Sequence, residues 1–310
     1  MDQEYGGHKF GPGIYLLLPN DRHVQHKNNL SNWGVDVVFV HGLMGGVFYT
    51  WRQQDPDNVR EFSNDQVGLN VVLSFLKFTT IYCQISEDNY SFCWPRDWLA
   101  EDAAHVRVIG CDFDSYLSQW GGSCPTQSFK QSLEERSEDM LRKLREAGVG
   151  NRPVIFVGHS MGGLFIKKML TTAQDSEDEA KKKLSENTKG IVFYSTPHEG
   201  SQIASLNSII KYFFFPSIEV QELEMNNPAL LSLNQEFKHF VSKFKTKVIS
   251  FGETLPTRHL GMDVTFVPPE SSNPGVGEFY PVPFNHMDIC KPPSRNLVWD
   301  AVDESSRCNP

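Results

Sequence analysis

Short apolar runs alternate along this chain with longer stretches in which apolar residues recur every three or four positions among charges. Asp36 to Val40 and Val106 to Gly110 are compact apolar runs, and they predict buried parallel strands. From Ser128 to Ala147, Leu133, Met140, Leu141 and Leu144 sit among many charges, which predicts an amphipathic helix ended by Gly148. Pro153 to Val157 predicts the next strand, and Met161 to about Ala173 the next helix. The charge run Asp175 to Lys183 is expected to be a solvated linker before a strand at Gly190 to Ser195. A helix is predicted over Pro228 to Phe244, with Lys247 to Phe251 and Val264 to Val267 as the last two strands. This alternation predicts an α/β fold, a doubly wound and mostly parallel sheet with helices on both faces.

Two stretches depart from the pattern. Residues 1–35 are polar apart from Gly13 to Pro19, and they are expected to form an N-terminal extension with one outer strand ahead of a domain over 36–310. Val67 to Ile85 carries only Lys77 as a charge and is nearly long enough to cross a bilayer. Asn70, Ser74, Thr79, Thr80 and Gln84 make it a poor span, so a loop or lid insertion at about 67–85 is expected instead.

Composition narrows the function classes. The chain has 310 residues, 39% hydrophobic and 22% charged, as in a soluble globular protein. Its net charge of −9, with no basic cluster interleaved with aromatics, argues against nucleic acid as a partner. Met1 to Tyr5 lacks the basic-then-apolar layout of a secretory signal. The six cysteines contain no Cys-x-x-Cys pair, which favours reduced thiols over disulfides or a zinc site. No motif calls for a metal or a cofactor.

The candidate chemistry begins at Gly158-His159-Ser160-Met161-Gly162, between a predicted strand and a predicted helix. A Gly-x-Ser-x-Gly at such a turn is the nucleophile elbow of α/β-hydrolases. Side chains at Gly158 and Gly162 would collide in so tight a turn, and the helix start beyond Ser160 offers N–H groups to an oxyanion. A second oxyanion donor is expected after an early strand, where His41-Gly42-Leu43-Met44-Gly45-Gly46 stands. The N–H of Leu43 and that of Met161 are the expected pair, each worth about 2.7–4 kcal/mol to a tetrahedral intermediate.

In this fold the base follows the last strand. Of the histidines after Ser160, His239 falls within a helix and His198 and His259 precede strands still to come, which leaves His286. The acid should close a strand. Glu253 is the first choice and Glu199 the alternative; Asp263 opens a strand, and Asp288 is close enough to His286 to read as local structure.

These motifs lie in order with others: Asp36 to Gly46, Thr50-Trp51-Arg52-Gln53-Gln54, Cys93-Trp94-Pro95, Arg96 to Ala100, Tyr194 to Ser201 and Asn285-His286. Together, over residues 36 to 293, they resemble the serine-active-site-containing lipase-like proteins. The resemblance implies an esterase or transacylase on lipid, with Ser160 as nucleophile, His286 as base and Glu253 where that family has a glutamate. It also implies phosphatidylglycerol remodelling and intracellular cholesterol handling, where mitochondria meet the endoplasmic reticulum, with peripheral membrane contact. The chain departs from that family in lacking its long N-terminal region with a membrane anchor, in the long gap between Trp51 and Trp94, and in a short C-terminus where Leu297 to Val302 is a weak closing helix. The surplus in the gap, Val67 to Gln84, has the odd composition and abrupt edges of translated intron; transcript reads running through it at full depth would exclude that origin.

The leading expectation is therefore a serine hydrolase or acyltransferase on acyl esters, phospholipid above all. Its competitors are a binding or scaffolding module that kept the fold without turnover, and a thioesterase or peptidase on the same triad. Tyr212-Phe213-Phe214-Phe215-Pro216 stands where lids and acyl pockets often sit, although such a stretch is more often core.

Overall fold

A computed structural model describes residues 8–11, 13–18, 34–43, 45–52, 93–99, 103, 105–113, 132–200, 227–259 and 262–292. Among them, eight strands form one sheet: β1 (His8–Gly11), β2 (Ile14–Leu18), β3 (Val35–Val40), β4 (Val106–Cys111), β5 (Val154–His159), β6 (Thr188–Tyr194), β7 (Lys247–Glu253) and β10 (Glu278–Val282). Their order is β1-β2-β4-β3-β5-β6-β7-β10. All neighbours from β4 to β10 are parallel, while β1 and β2 join antiparallel at one side. This is the mostly parallel α/β-hydrolase sheet that the alternating pattern predicts. Gly13 to Pro19 contributes β2, which pairs with β4 inside the sheet while β1 lies outermost.

Alternation along each strand feeds two cores. Val38 and Val40 of β3 face one, filled by α2 (Leu133–Glu146), α3 (Met161–Gln174), α4 (Glu179–Asn187) and α5 (Pro228–Phe244). Val37 and Phe39 face the other, where Trp51 and Trp94 of α1 (Trp94–Asp97) pack edge-on against Phe39 at 5.0 and 5.2 Å. The polar residue inside the β3 run, Asp36, is fully buried and takes both arms of the Arg107 guanidinium at 2.8 Å, so the charge is paired. Helix α3 is buried nearly all round because α2, α4 and α5 enclose it against the sheet.

Several elements differ from expectation, each for a local reason. The described part of the predicted 128–147 helix starts at Leu133, where Ser132 and Glu135 close a capping box. Gly148, at φ 74°, ends it as predicted. The charge run after α3 is not a bare linker, since Asp178 caps α4 through the Ala180 N–H. That helix buries only Leu184 as an apolar anchor, too little to show as a period. Val264 to Val267 is not the last strand of the sheet. Its first residue ends β9 (Met262–Val264), which pairs with β8 (Thr257–His259) as a separate antiparallel hairpin. The last strand is β10, half-exposed and carrying Pro281, an edge composition that hides its strand character. Val67 to Ile85, Tyr212 to Pro216 and Leu297 to Val302 lie outside the described residues. Among those described, no helix is long and apolar enough to cross a membrane.

Candidate active site

Strand β5 ends at His159 and helix α3 begins at Met161, so Ser160 alone makes the corner. It does so at φ 52° and ψ −128°, a conformation that costs a non-glycine residue about 1–3 kcal/mol. The corner persists because its surroundings over-determine it. Ser160 N–H donates to the Tyr194 carbonyl at 2.9 Å, and its own carbonyl accepts from Gly163 N–H at 3.1 Å. The glycines serve close approach. A Cβ on Gly158 would stand 2.8 Å from the Gly163 Cα, one on Gly162 2.3 Å from the His41 carbonyl oxygen, and one on Gly42 2.7 Å from the Ser160 Cβ. Gly158 and Gly162 thus make room for α3 and for the end of β3, rather than for each other. Gly163, which the motif reading passed over, is as tightly placed, with Thr196 Oγ1 2.1 Å from where its Cβ would be.

Ser160, His286 and Glu253 stand in one hydrogen-bonded line. His286 Nε2 lies 3.1 Å from Ser160 Oγ, and His286 Nδ1 lies 2.6 Å from Glu253 Oε2. Because the carboxylate accepts, the proton sits on Nδ1, which leaves Nε2 as an acceptor for the serine hydroxyl. Glu253 closes β7 and is fully buried. Its second oxygen, Oε1, accepts from the backbone N–H groups of Phe266 at 2.8 Å and Val267 at 3.1 Å, so neither oxygen is orphaned. These two donors are available because β9 stops at Val264. The segment after β9 is therefore the clamp that holds the Glu253 carboxylate.

The loop after β10 presents His286. Its backbone N–H donates to Thr257 Oγ1 at 3.1 Å, and its ring stacks on Phe266 at 4.9 Å. Asn285 accepts from the N–H groups of Met287 and Asp288 and donates to the Asp288 carboxylate at 2.7 Å, so Asp288 is engaged locally. Glu199 is away from this line. Its backbone N–H donates to Ser271 Oγ, and its charge acts on Lys167. His239 is exposed on α5, and Asp263 pairs with Arg258 across the β8–β9 hairpin.

The loop after β3 supplies the second side of the site. The Gly42 carbonyl accepts from the His41 ring Nδ1–H at 2.8 Å and from Gly45 N–H at 3.2 Å. A trans peptide sets the Leu43 N–H opposite that pinned carbonyl. Met161 is buried at the first position of α3, where the backbone N–H has no partner within the helix. The N–H groups of Leu43 and Met161 thus belong to the two segments that meet where Gly42 abuts Ser160. Among the described residues, no group of three or more His, Cys, Asp or Glu side chains is placed to hold a metal ion.

No model of a known protein family matches the chain. It is 40% identical over 298 residues to Protein SERAC1 of Danio rerio and, over the same length, 40% identical to Protein SERAC1 of Homo sapiens. Each match takes in 96% of this chain and 41% of the relative, so the chain spans about two-fifths of the curated relatives it matches. Among solved structures, the mature form of the Bacillus licheniformis lipase BlEst2 superposes with a TM-score of 0.52 at 15% identity, covering 90% of this chain and 94% of that one. That likeness is one of fold. The chain has the α/β-hydrolase fold and is similar, over nearly all of its length, to two-fifths of Protein SERAC1.

Proposed function

We propose that this chain is a serine hydrolase of acyl esters, working through Ser160, His286 and Glu253. The observation that carries the reading is the unbroken line of contacts from Ser160 Oγ through the His286 ring to the buried Glu253 carboxylate, at 3.1 and 2.6 Å. Ser160 Oγ attacks the acyl carbon while His286 Nε2 takes its proton. The imidazolium so formed is balanced by Glu253, and the N–H groups of Leu43 and Met161 receive the negative oxygen of the tetrahedral intermediate. His286 then returns the proton to the leaving alcohol, and the acyl group remains on Ser160. An incoming water or alcohol, deprotonated by His286 in turn, releases it as acid or as a new ester.

The motif resemblance to lipase-like proteins and the fold shared with the lipase BlEst2 favour lipid esters, phospholipids foremost, with transacylation to a second lipid as the finer form of the reaction. Such a substrate brings the chain to a membrane surface, by resemblance that of mitochondria or the endoplasmic reticulum. A fluorophosphonate probe tests the reading, since it reacts with an activated serine whatever the acyl group. Covalent labelling of the purified chain, lost in Ser160→Ala, supports it; a folded chain that takes no label overturns it. Released products from a panel of phospholipid, thioester and amide substrates then identify the acyl class.

A further inference from the structure

The residue before the nucleophile does more than fill the elbow motif. His159 closes β5, is buried, and donates from its ring Nε2 to the backbone carbonyl of His286 at 2.9 Å. A carbonyl can only accept, so the Nε2 of His159 carries the proton. Burial, aided by the nearby His286, holds this imidazole well below the ordinary histidine range, so it remains neutral. The other titratable groups acting on it are Lys291 and His41.

His286 thereby has all its polar groups engaged. Its N–H is on Thr257, its Nδ1 on Glu253, its Nε2 beside Ser160 and its carbonyl on His159. His159 and Ser160 are adjacent on the chain. The two contacts they make with His286 therefore close one small ring, containing two consecutive residues at the end of β5 and one residue of the loop after β10. We propose that His159 is a positioning residue, which sets the approach of the His286 ring to Ser160 by holding the His286 carbonyl. The inference rests on the Ser160–His286–Glu253 reading above. Packing directs the ring as well: it lies 5.0 Å from the His286 ring and meets the Trp51 ring edge-on at 6.5 Å. The neutral state matters to the chemistry, since a cation this near His286 would oppose the imidazolium formed there during acyl transfer.

The test compares His159→Phe, which keeps ring volume and loses the donor, with His159→Gln, whose amide restores a donor at similar reach. Both are made in the full chain. Hydrolysis of a p-nitrophenyl ester and the rate of fluorophosphonate labelling are measured, with thermal midpoints taken alongside. Expected for His159→Phe is a kcat loss on the order of 10- to 100-fold with KM little changed, as a small misplacement of reacting groups produces; His159→Gln recovers most of it. If the Phe variant does not fold, His159→Asn, whose donor is too short to reach, replaces it against Gln. Wild-type kcat in His159→Phe overturns the inference, as does a folded Gln variant no better than Phe or Asn. A folded wild-type chain that takes no label removes the serine-hydrolase reading, and this inference with it. A wild type labelled at Ser160, beside a Phe variant labelled equally fast, removes this inference alone.

Discussion

Two buried histidines in this molecule have opposite partners. His286 sets its Nδ1 against the Glu253 carboxylate at 2.6 Å, so a proton arriving on the ring finds a countercharge. His198, also fully buried, accepts at its Nδ1 from Lys167 Nζ at 3.0 Å, while the same amine donates to Asn234 Oδ1 at 2.7 Å and lies over the Phe237 ring. Burial, with Lys167 adding to it, holds the His198 imidazole well below its ordinary range; burial first and Lys238 next push the Lys167 amine well below that of a free lysine. The first environment suits a base that must become a cation and give its proton back. The second keeps its histidine neutral and pins α3 to α5 and to the segment after β6. Burial is common to both, and the partner decides what each histidine can do.

The largest effects break the first environment. Glu253→Gln keeps the shape and removes the charge, and the rate of ester hydrolysis should fall on the order of 10⁴-fold with little change in thermal midpoint. Glu199→Gln should leave that rate near wild type; an equal loss in both would relocate the acid. In the second environment, Lys167→Met orphans the acceptors on His198 and Asn234. It should cost about 1–3 kcal/mol of stability by denaturant titration, while the folded fraction still takes the serine probe. Loss of labelling from folded Lys167→Met would join the two environments.

Smaller still is a dependence of stability on pH. In the unfolded chain His159 and His198 take up protons below about pH 6.5, whereas their depressed folded values keep them neutral. Their contribution to stability is thus complete above that pH and is lost as pH falls, and depressed Lys167 acts in the same direction from higher pH. The thermal midpoint should drop from pH 8 to pH 5, with a flatter slope in His198→Asn, which retains an acceptor for Lys167. An unchanged slope would show that His198 already carries its proton in the folded state. The three described cysteines should report least. Cys93, Cys111 and Cys290 are buried free thiols, and desolvation pushes Cys93 and Cys290 up to about 12 and raises Cys111 as well. Iodoacetamide should reach them only when the chain unfolds.

Much of the frame was legible because its central strands are buried on both faces and its longest described helix along one. The strands at Asp36 and Val106 and the helix Pro228–Phe244 stand out as apolar runs or as a clean period. What escaped was carried by few apolar residues or by none. Helix α4 rests on Leu184, β10 is a half-exposed edge with a proline, and β8–β9 is too short to show a pattern. In the candidate site, residue types and their order along the chain can be read from motifs, so Ser160, Glu253 and His286 could be nominated. The donors that hold them could not. Phe266 and Val267 act through backbone N–H groups, and His159 through the backbone carbonyl of His286 on a distant segment, none of which leaves a mark in residue type.

The central claim, that Ser160 is a nucleophile activated by His286, is tested most directly by intact-mass analysis of the full chain after fluorophosphonate treatment. The account predicts one adduct per chain, mapped to Ser160, absent in Ser160→Ala and strongly slowed in His286→Ala. A folded wild-type chain without an adduct, or with the adduct on another residue, would contradict it.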